Sequence, residues 1–215
     1  MPLHNRYEGL EPEGRANDKA DEGPCTGLPR ARQSAPHITT ASMKEKRRVI
    51  VIGDSFLRGT EGPMCRPDPS HREVCCLTGA QVRDIARKLP GLVWPSDYHP
   101  LLVVQVGSDE IRDKSTWAVK RDFRALGGQD NRSGTQVAFS SVPPVAREDE
   151  GRNRRSQQIN TWLQAWCHRQ NLGFFDRGSV YMAPGLLATG GVHQSQTGKR
   201  ILAQELAGLI DRALN

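Results

Sequence analysis

From residue 47 onward, the apolar residues alternate between short continuous runs and groups at helical spacing. The continuous runs predict five strands. They fall at residues 48–52, 73–77, 101–106, 136–141 and 172–176. The first and third are apolar along almost their whole length, which is typical of parallel strands that are covered by helices on both faces.

Between the strands, apolar residues recur three and four positions apart, which predicts amphipathic helices. These groups fall at residues 82–89, 119–126, 159–166 and 202–213. Alternation of strands with helices favours an α/β domain. We therefore predict a three-layer sandwich over residues 47–215, with a mostly parallel sheet of about five strands and helices on both faces.

Residues 1–46 differ from the rest of the chain. They are polar, contain glycine, proline and charges of both signs, and show no apolar period. Such a composition cannot bury enough apolar surface to fold, so we predict a disordered polar tail. The first residues lack the apolar segment of a secretory signal, and no run approaches the ~20 apolar residues of a membrane span.

Charge and cysteine content add two expectations. The net charge of +6 makes weak contact with nucleic acid plausible through general electrostatic attraction. The five cysteines show no CxxC spacing, which is typical of reduced thiols and argues against a zinc site. We expect an intracellular protein, cytoplasmic or nuclear, with no metal and no cofactor.

Polar residues and glycines follow the predicted strands. Ser55 comes directly after the first strand, Gly79 after the second and Asp109 after the third, while His193 precedes the last helix. Ligands of open parallel sheets bind beyond the carboxyl ends of the strands, so these residues should share one edge. A serine, loop amides and a histidine are the groups that acyl transfer requires.

The order of these segments resembles the SGNH hydrolases, also called GDSL-type esterases. The sequence GDS at 53–55 matches the first block of the family, and Gly79 matches the family's glycine after strand two. GSDE at 107–110 falls on the family's G-x-N-D block, and GGVH at 190–193 falls on the family's D-x-x-H block. The chain is also similar to esterase-like domains of vertebrate retrotransposon-derived open reading frames. The resemblance implies the flavodoxin-like SGNH fold.

The resemblance implies a role for each site residue. Ser55 would be the nucleophile and would also donate its backbone N–H to the oxyanion, His193 would be the general base, and Gly79 would donate a second N–H. Asp109 occupies the position of the oxyanion-hole asparagine. Simpler interpretations remain open: Ser55 as a helix cap, Gly79 as a turn glycine, and His193 as an exposed loop histidine.

Two departures from the family's motifs weaken the predicted chemistry. Gly190 stands where the family has the aspartate that orients the histidine, and Asp176 is a possible substitute. Asp109 stands where an asparagine donates to the oxyanion, and an ionised carboxylate cannot donate a hydrogen bond. We therefore predict a weakened serine esterase that acts on a carboxylic ester. The alternatives are a catalytically dead pseudo-esterase that binds an acyl or glycan ligand, and a retrotransposon-derived protein associated with nucleic acid.

Overall fold

The computed structural model describes residues 46–128, 134–143, 150–177, 185–188 and 194–215. The predicted disordered tail lies outside these ranges except for its last residue, so the disorder of the tail stays a prediction.

Five strands form a single sheet, and every neighbouring pair is parallel. The strands are β1 (Val49–Gly53), β2 (Arg72–Cys76), β3 (Leu101–Gln105), β4 (Gln136–Ser140) and β5 (Gly173–Phe175). Their spatial order is β2-β1-β3-β4-β5. All five predicted strands are found, with ends that differ by at most one residue from the prediction.

Helices connect the strands. They are α1 (Glu61–Cys65), α2 (Val82–Lys88), α3 (Ser108–Asp113), α4 (Thr116–Gly127), α5 (Glu150–Arg169) and α6 (Gln196–Leu214). Each predicted helical group falls within one of these, apart from the end of the first group, which continues into a short 3-10 turn at Leu89–Gly91. The α/β fold predicted from the sequence is confirmed.

The sheet is covered on both faces, as the continuously apolar strands predict. Alternate residues of β1 point to opposite sides: Ile50 and Ile52 pack in one cluster with buried residues of α2 to α5. Val49 and Val51 pack in a second cluster with residues of α1 and α6. Both clusters consist of fully or nearly fully buried side chains, so the three-layer sandwich has a core on each side of the sheet.

The carboxyl end of β1 lies unusually close to β3. A Cβ added to Gly53 would stand 2.0 Å from the carbonyl oxygen of Gln105, so only glycine fits there. The same carbonyl oxygen accepts a hydrogen bond of 3.2 Å from the backbone N–H of Asp54. Gly53 therefore lets the chain turn sharply from β1 while it stays bonded to the centre of the sheet.

Candidate active site

Ser55 lies at the point where the chain leaves β1 and begins a 3-10 turn, Ser55–Leu57. The turn is capped by Asp54, whose carboxylate accepts a hydrogen bond of 3.0 Å from the backbone N–H of Phe56. The capping role that Ser55 could have filled is thus filled by its neighbour. Within the part of the chain that the structure describes, the Ser55 hydroxyl makes no hydrogen bond.

The Ser55 side chain borders an open pocket of about 120 Å³. The pocket is lined by Ser55, Phe56, Arg58, Gln194 and Lys199. The first three follow β1, and the last two lie at the amino-terminal end of α6. Hence the pocket opens beside the carboxyl ends of the strands, the edge of a parallel sheet where ligands are expected.

The loop after β2, which carries Gly79, is bonded to the loop after β1. The N–H of Leu77 donates to the carbonyl oxygen of Gly53 at 2.8 Å, and Arg58 donates to the Thr78 hydroxyl at 2.7 Å. Gly79 itself is exposed and has a φ of +71°, a conformation that L side chains rarely adopt. Its N–H donates to no other residue that the structure describes, so a ligand could accept from it.

Asp54 joins the loop after β1 to the loop after β3. Its side chain is only 3% exposed and accepts hydrogen bonds from the backbone N–H groups of Phe56 and Gly107. The pKa of this carboxyl is raised to about 6, chiefly by burial and also by the nearby charges of Asp109 and Glu110, which together outweigh the lowering effect of the two hydrogen bonds. At neutral pH the group is therefore mostly an anion that orders two of the loops at this edge.

The raised pKa of Asp54 predicts a pH dependence of stability. As the pH rises above 3.8, the carboxyl ionises in the unfolded chain but stays protonated in the folded one up to about 6. Its contribution to the free energy of unfolding is therefore fully present below the lower pKa and falls by about 3 kcal/mol by neutral pH. In urea unfolding, the free energy of unfolding of wild type minus that of Asp54→Asn should therefore be smaller at pH 7 than at pH 4. The same difference in free energy at pH 4 and at pH 7 would contradict the assignment.

Asp109 lies in the first turn of α3, at the edge where Ser55 lies. Its side chain is 40% exposed, and its nearest ion-pair partner is Arg112, 3.8 Å away. The carboxylate is thus partly hydrated and only loosely paired. A carboxylate at this position can accept hydrogen bonds but cannot donate one.

Glu110 is a buried part of the site that the sequence analysis missed. It is 1% exposed, and its carboxylate accepts from the N–H of Val82 at 2.9 Å and from Lys114 at 2.8 Å. Lys114 is also paired with Asp122 at 2.7 Å. Glu110 therefore fixes the start of α2, three residues after Gly79, to α3. The spacing of four positions between Glu110 and Lys114, the residue that caps the end of α3, was the only signal in the sequence.

His193 and Gly190 lie outside the described residues, so their predicted roles stay predictions. Asp176, the possible substitute acid, is exposed and follows β5 directly. Gln194, the residue after His193, lines the same pocket as Ser55. Ser195 then caps α6, with its hydroxyl accepting from the N–H of Gly198 at 3.1 Å.

Neither a metal centre nor a membrane-spanning helix is present among the described residues. These ranges contain no group of three or more histidine, cysteine, aspartate or glutamate side chains that could hold a metal ion. They also contain no helix with the length and apolar character needed to cross a membrane.

The fold is that of the GDSL-type, or SGNH, lipolytic hydrolases. A GDSL-like lipase from Bacteroides thetaiotaomicron is 15% identical, with a TM-score of 0.64 over 78% of this chain and 89% of that chain. A lipase/acylhydrolase from Enterococcus faecalis is 17% identical, with a TM-score of 0.64 over 79% of this chain and 98% of the other. The resemblance predicted from the sequence motifs is thus confirmed for the fold.

The esterase domain of the ORF1 protein of a zebrafish retrotransposon is 27% identical, covering 76% of this chain and 99% of that domain, with a TM-score of 0.43. No protein-family model matches the chain, and no curated protein matches it.

Proposed function

We propose that the protein is a slow serine-dependent hydrolase of carboxylic esters, with Ser55 as its nucleophile. The observation that carries the proposal is the placement of the Ser55 hydroxyl. It borders a pocket at the carboxyl edge of the sheet, and Asp54 has taken over the capping role that would otherwise explain a serine at this turn. The fold shared with GDSL-type hydrolases is consistent with this chemistry.

In the proposed reaction, Oγ of Ser55 attacks the ester carbonyl carbon and its proton passes to a base, which the sequence motif assigns to His193. The tetrahedral oxyanion accepts hydrogen bonds from the backbone N–H groups of Ser55 and Gly79. Collapse of the tetrahedral intermediate breaks the ester bond and leaves an acyl group on Ser55. The departing alcohol takes the proton from the base. A water molecule then attacks the acyl group, and the carboxylic acid leaves as Ser55 regains its proton.

Two substitutions explain why the proposed reaction would be slow. Asp109 supplies negative charge where a donor should stabilise the oxyanion, and loss of one such donor reduces kcat by roughly 10²–10³. Gly190 removes the acid expected to orient His193. In serine proteases, neutralising the equivalent acid reduces kcat by about 10⁴, a value measured in that unrelated system.

We expect purified protein to hydrolyse para-nitrophenyl acetate, and Ser55→Ala to lower the rate at least about tenfold, to the level of uncatalysed hydrolysis. The drop is limited because the starting activity is already weakened. Ser96→Ala is the matched control, because Ser96 is an exposed serine distant in sequence from the pocket residues. Equal hydrolysis by wild type and Ser55→Ala would contradict the proposal.

A second candidate is a pseudo-esterase that binds an acyl or glycan ligand without turnover. The negatively charged Asp109 favours it, because a carboxylate at that position opposes the charge of the transition state but not the binding of a neutral ester. This candidate predicts saturable ligand binding by wild type with no burst of product. Association with nucleic acid remains a prediction from net charge alone.

A further inference from the structure

Among the described residues that line the pocket beside Ser55, two are cationic, Arg58 and Lys199, and none is acidic. We propose that the substrate is an ester with an anionic group, a carboxylate or a phosphate, close to its ester bond. This rests on the proposed function and specifies its substrate class. It sets the site apart from one that accepts a long apolar chain.

No described acidic residue compensates the charge of Lys199. Lys199 lies in the first turn of α6, a turn that contains no acidic residue. A cation is unfavourable there, because the amino-terminal end of a helix is itself positive. Lys199 forms no ion pair within the described ranges, and its ammonium group extends over Gly59, 3.8 Å from where a Cβ would stand. Both the ammonium and the helix end thus present positive charge to the pocket.

Arg58 lines the pocket from a different segment of the chain, the loop after β1. One of its nitrogens donates to the hydroxyl of Thr78 at 2.7 Å, which orients the guanidinium. No carboxylate of the described residues is paired with it. The guanidinium also interacts with the thiol of Cys76. The N–H groups that contact neither Thr78 nor Cys76 can donate to an anion, in the planar geometry that suits carboxylate and phosphate oxygens.

Gln194 is a mostly buried polar side chain at the boundary of the pocket. Its side chain is 7% exposed, and its Oε1 atom is buried without any hydrogen-bond partner in the described structure. Leaving a buried amide oxygen unsatisfied is unfavourable, so such groups normally bind a ligand or a water molecule. Gln194 also lines a second cavity, with Leu186, Leu187 and Gly198, so the proposed anion subsite is assigned to Arg58 and Lys199 alone.

Binding of a non-hydrolysable pair of ligands tests this subsite without requiring turnover. The pair is para-acetamidobenzoate and para-acetamidobenzamide, which differ in charge but hardly in shape. We expect NMR titration of the full chain at low salt to show about fivefold tighter binding of the carboxylate, as two partly exposed cations can supply. The ratio of the two affinities should fall toward one in Lys199→Gln. It should also shrink in 0.5 M salt, where the Debye length is only a few ångströms.

Arg200→Gln is the matched control, because it removes the same charge from the next position of α6, and Arg200 does not line the pocket. It should keep the full preference. Equal affinity of wild type for the two ligands, or equal loss of the preference in the Lys199 and Arg200 variants, would overturn the subsite. A phosphate arm, para-acetamidophenyl phosphate, distinguishes the two anions: tighter binding than the carboxylate assigns the subsite to phosphate, and weaker binding assigns it to carboxylate.

Turnover separates this proposal from the proposed function. Hydrolysis of para-acetoxybenzoate should exceed that of para-acetoxybenzamide by a similar factor of about five in kcat/KM. If neither ester is hydrolysed but the charge preference in binding persists, the esterase function fails and the anion subsite stands. If both esters are hydrolysed equally, and para-acetamidobenzoate and para-acetamidobenzamide bind equally, the esterase function stands and the anion subsite fails.

Discussion

Replacing Asp109 by asparagine is expected to raise kcat/KM for a simple ester by about 10²-fold. The first turn of α3 places this residue at the edge where Ser55 lies, partly exposed and 3.8 Å from Arg112. An asparagine there can donate to the developing oxyanion, whereas the carboxylate can only repel it. The gain should appear mainly in kcat, because the interaction exists only in the transition state.

Asp113→Asn is the matched control for this variant. Asp113 lies on the same helix, is also paired with Arg112, and loses the same charge on substitution. A gain in both variants would reflect net charge rather than a donor at the oxyanion. Adding Gly190→Asp to Asp109→Asn should raise the rate further, by orienting His193. If neither Asp109→Asn alone nor Asp109→Asn combined with Gly190→Asp raises the rate, the scaffold has lost more than these two groups.

Replacing Glu110 by alanine is expected to lower the free energy of unfolding by about 3 kcal/mol, and the midpoint of thermal unfolding by about 8 °C. The carboxylate is buried between the N–H of Val82 and the ammonium of Lys114, so its removal leaves both without this partner. The start of α2 and the loop with Gly79 should loosen, so kcat/KM should also fall at temperatures where the variant remains folded.

Asp122→Asn is the control, since it removes the other carboxylate partner of Lys114 but leaves Val82 bonded. It should destabilise the fold less than Glu110→Ala and leave kcat/KM nearly unchanged. Glu110→Gln should lie between the two in stability, because its amide oxygen can still accept from Val82. Equal loss of activity in Asp122→Asn and Glu110→Ala would show that Glu110 acts through general stability rather than through the loop.

The sheet and its helices could be predicted because each element's signal is local. In β1, burial on both faces requires apolar residues at every position, and the run from Val49 to Ile52 shows this directly. In α6, Leu202, Leu206 and Ile210 recur at helical spacing and are all buried. The strand ends follow from these runs, which is why Ser55 and Gly79 could be placed at one edge.

The contacts that build the pocket could not be predicted in the same way. Arg58 and Lys199 are two of the 30 basic residues in the chain, and nothing in their local sequence distinguishes them. The buried bond from Val82 to Glu110 joins positions 28 residues apart, and only the tertiary fold brings the start of α2 to α3. Such long-range polar contacts leave no periodic pattern in a single sequence.

Labelling with a fluorophosphonate probe tests the central claim most directly, because the probe reacts only with a serine whose hydroxyl is activated as a nucleophile. We expect mass spectrometry of the intact chain to show one added phosphonyl group. Peptide mapping should place it on Ser55, and the label should be absent from Ser55→Ala and present in Ser96→Ala. No label on wild type, at probe concentrations that modify a known serine esterase, would contradict the assignment of Ser55 as a nucleophile.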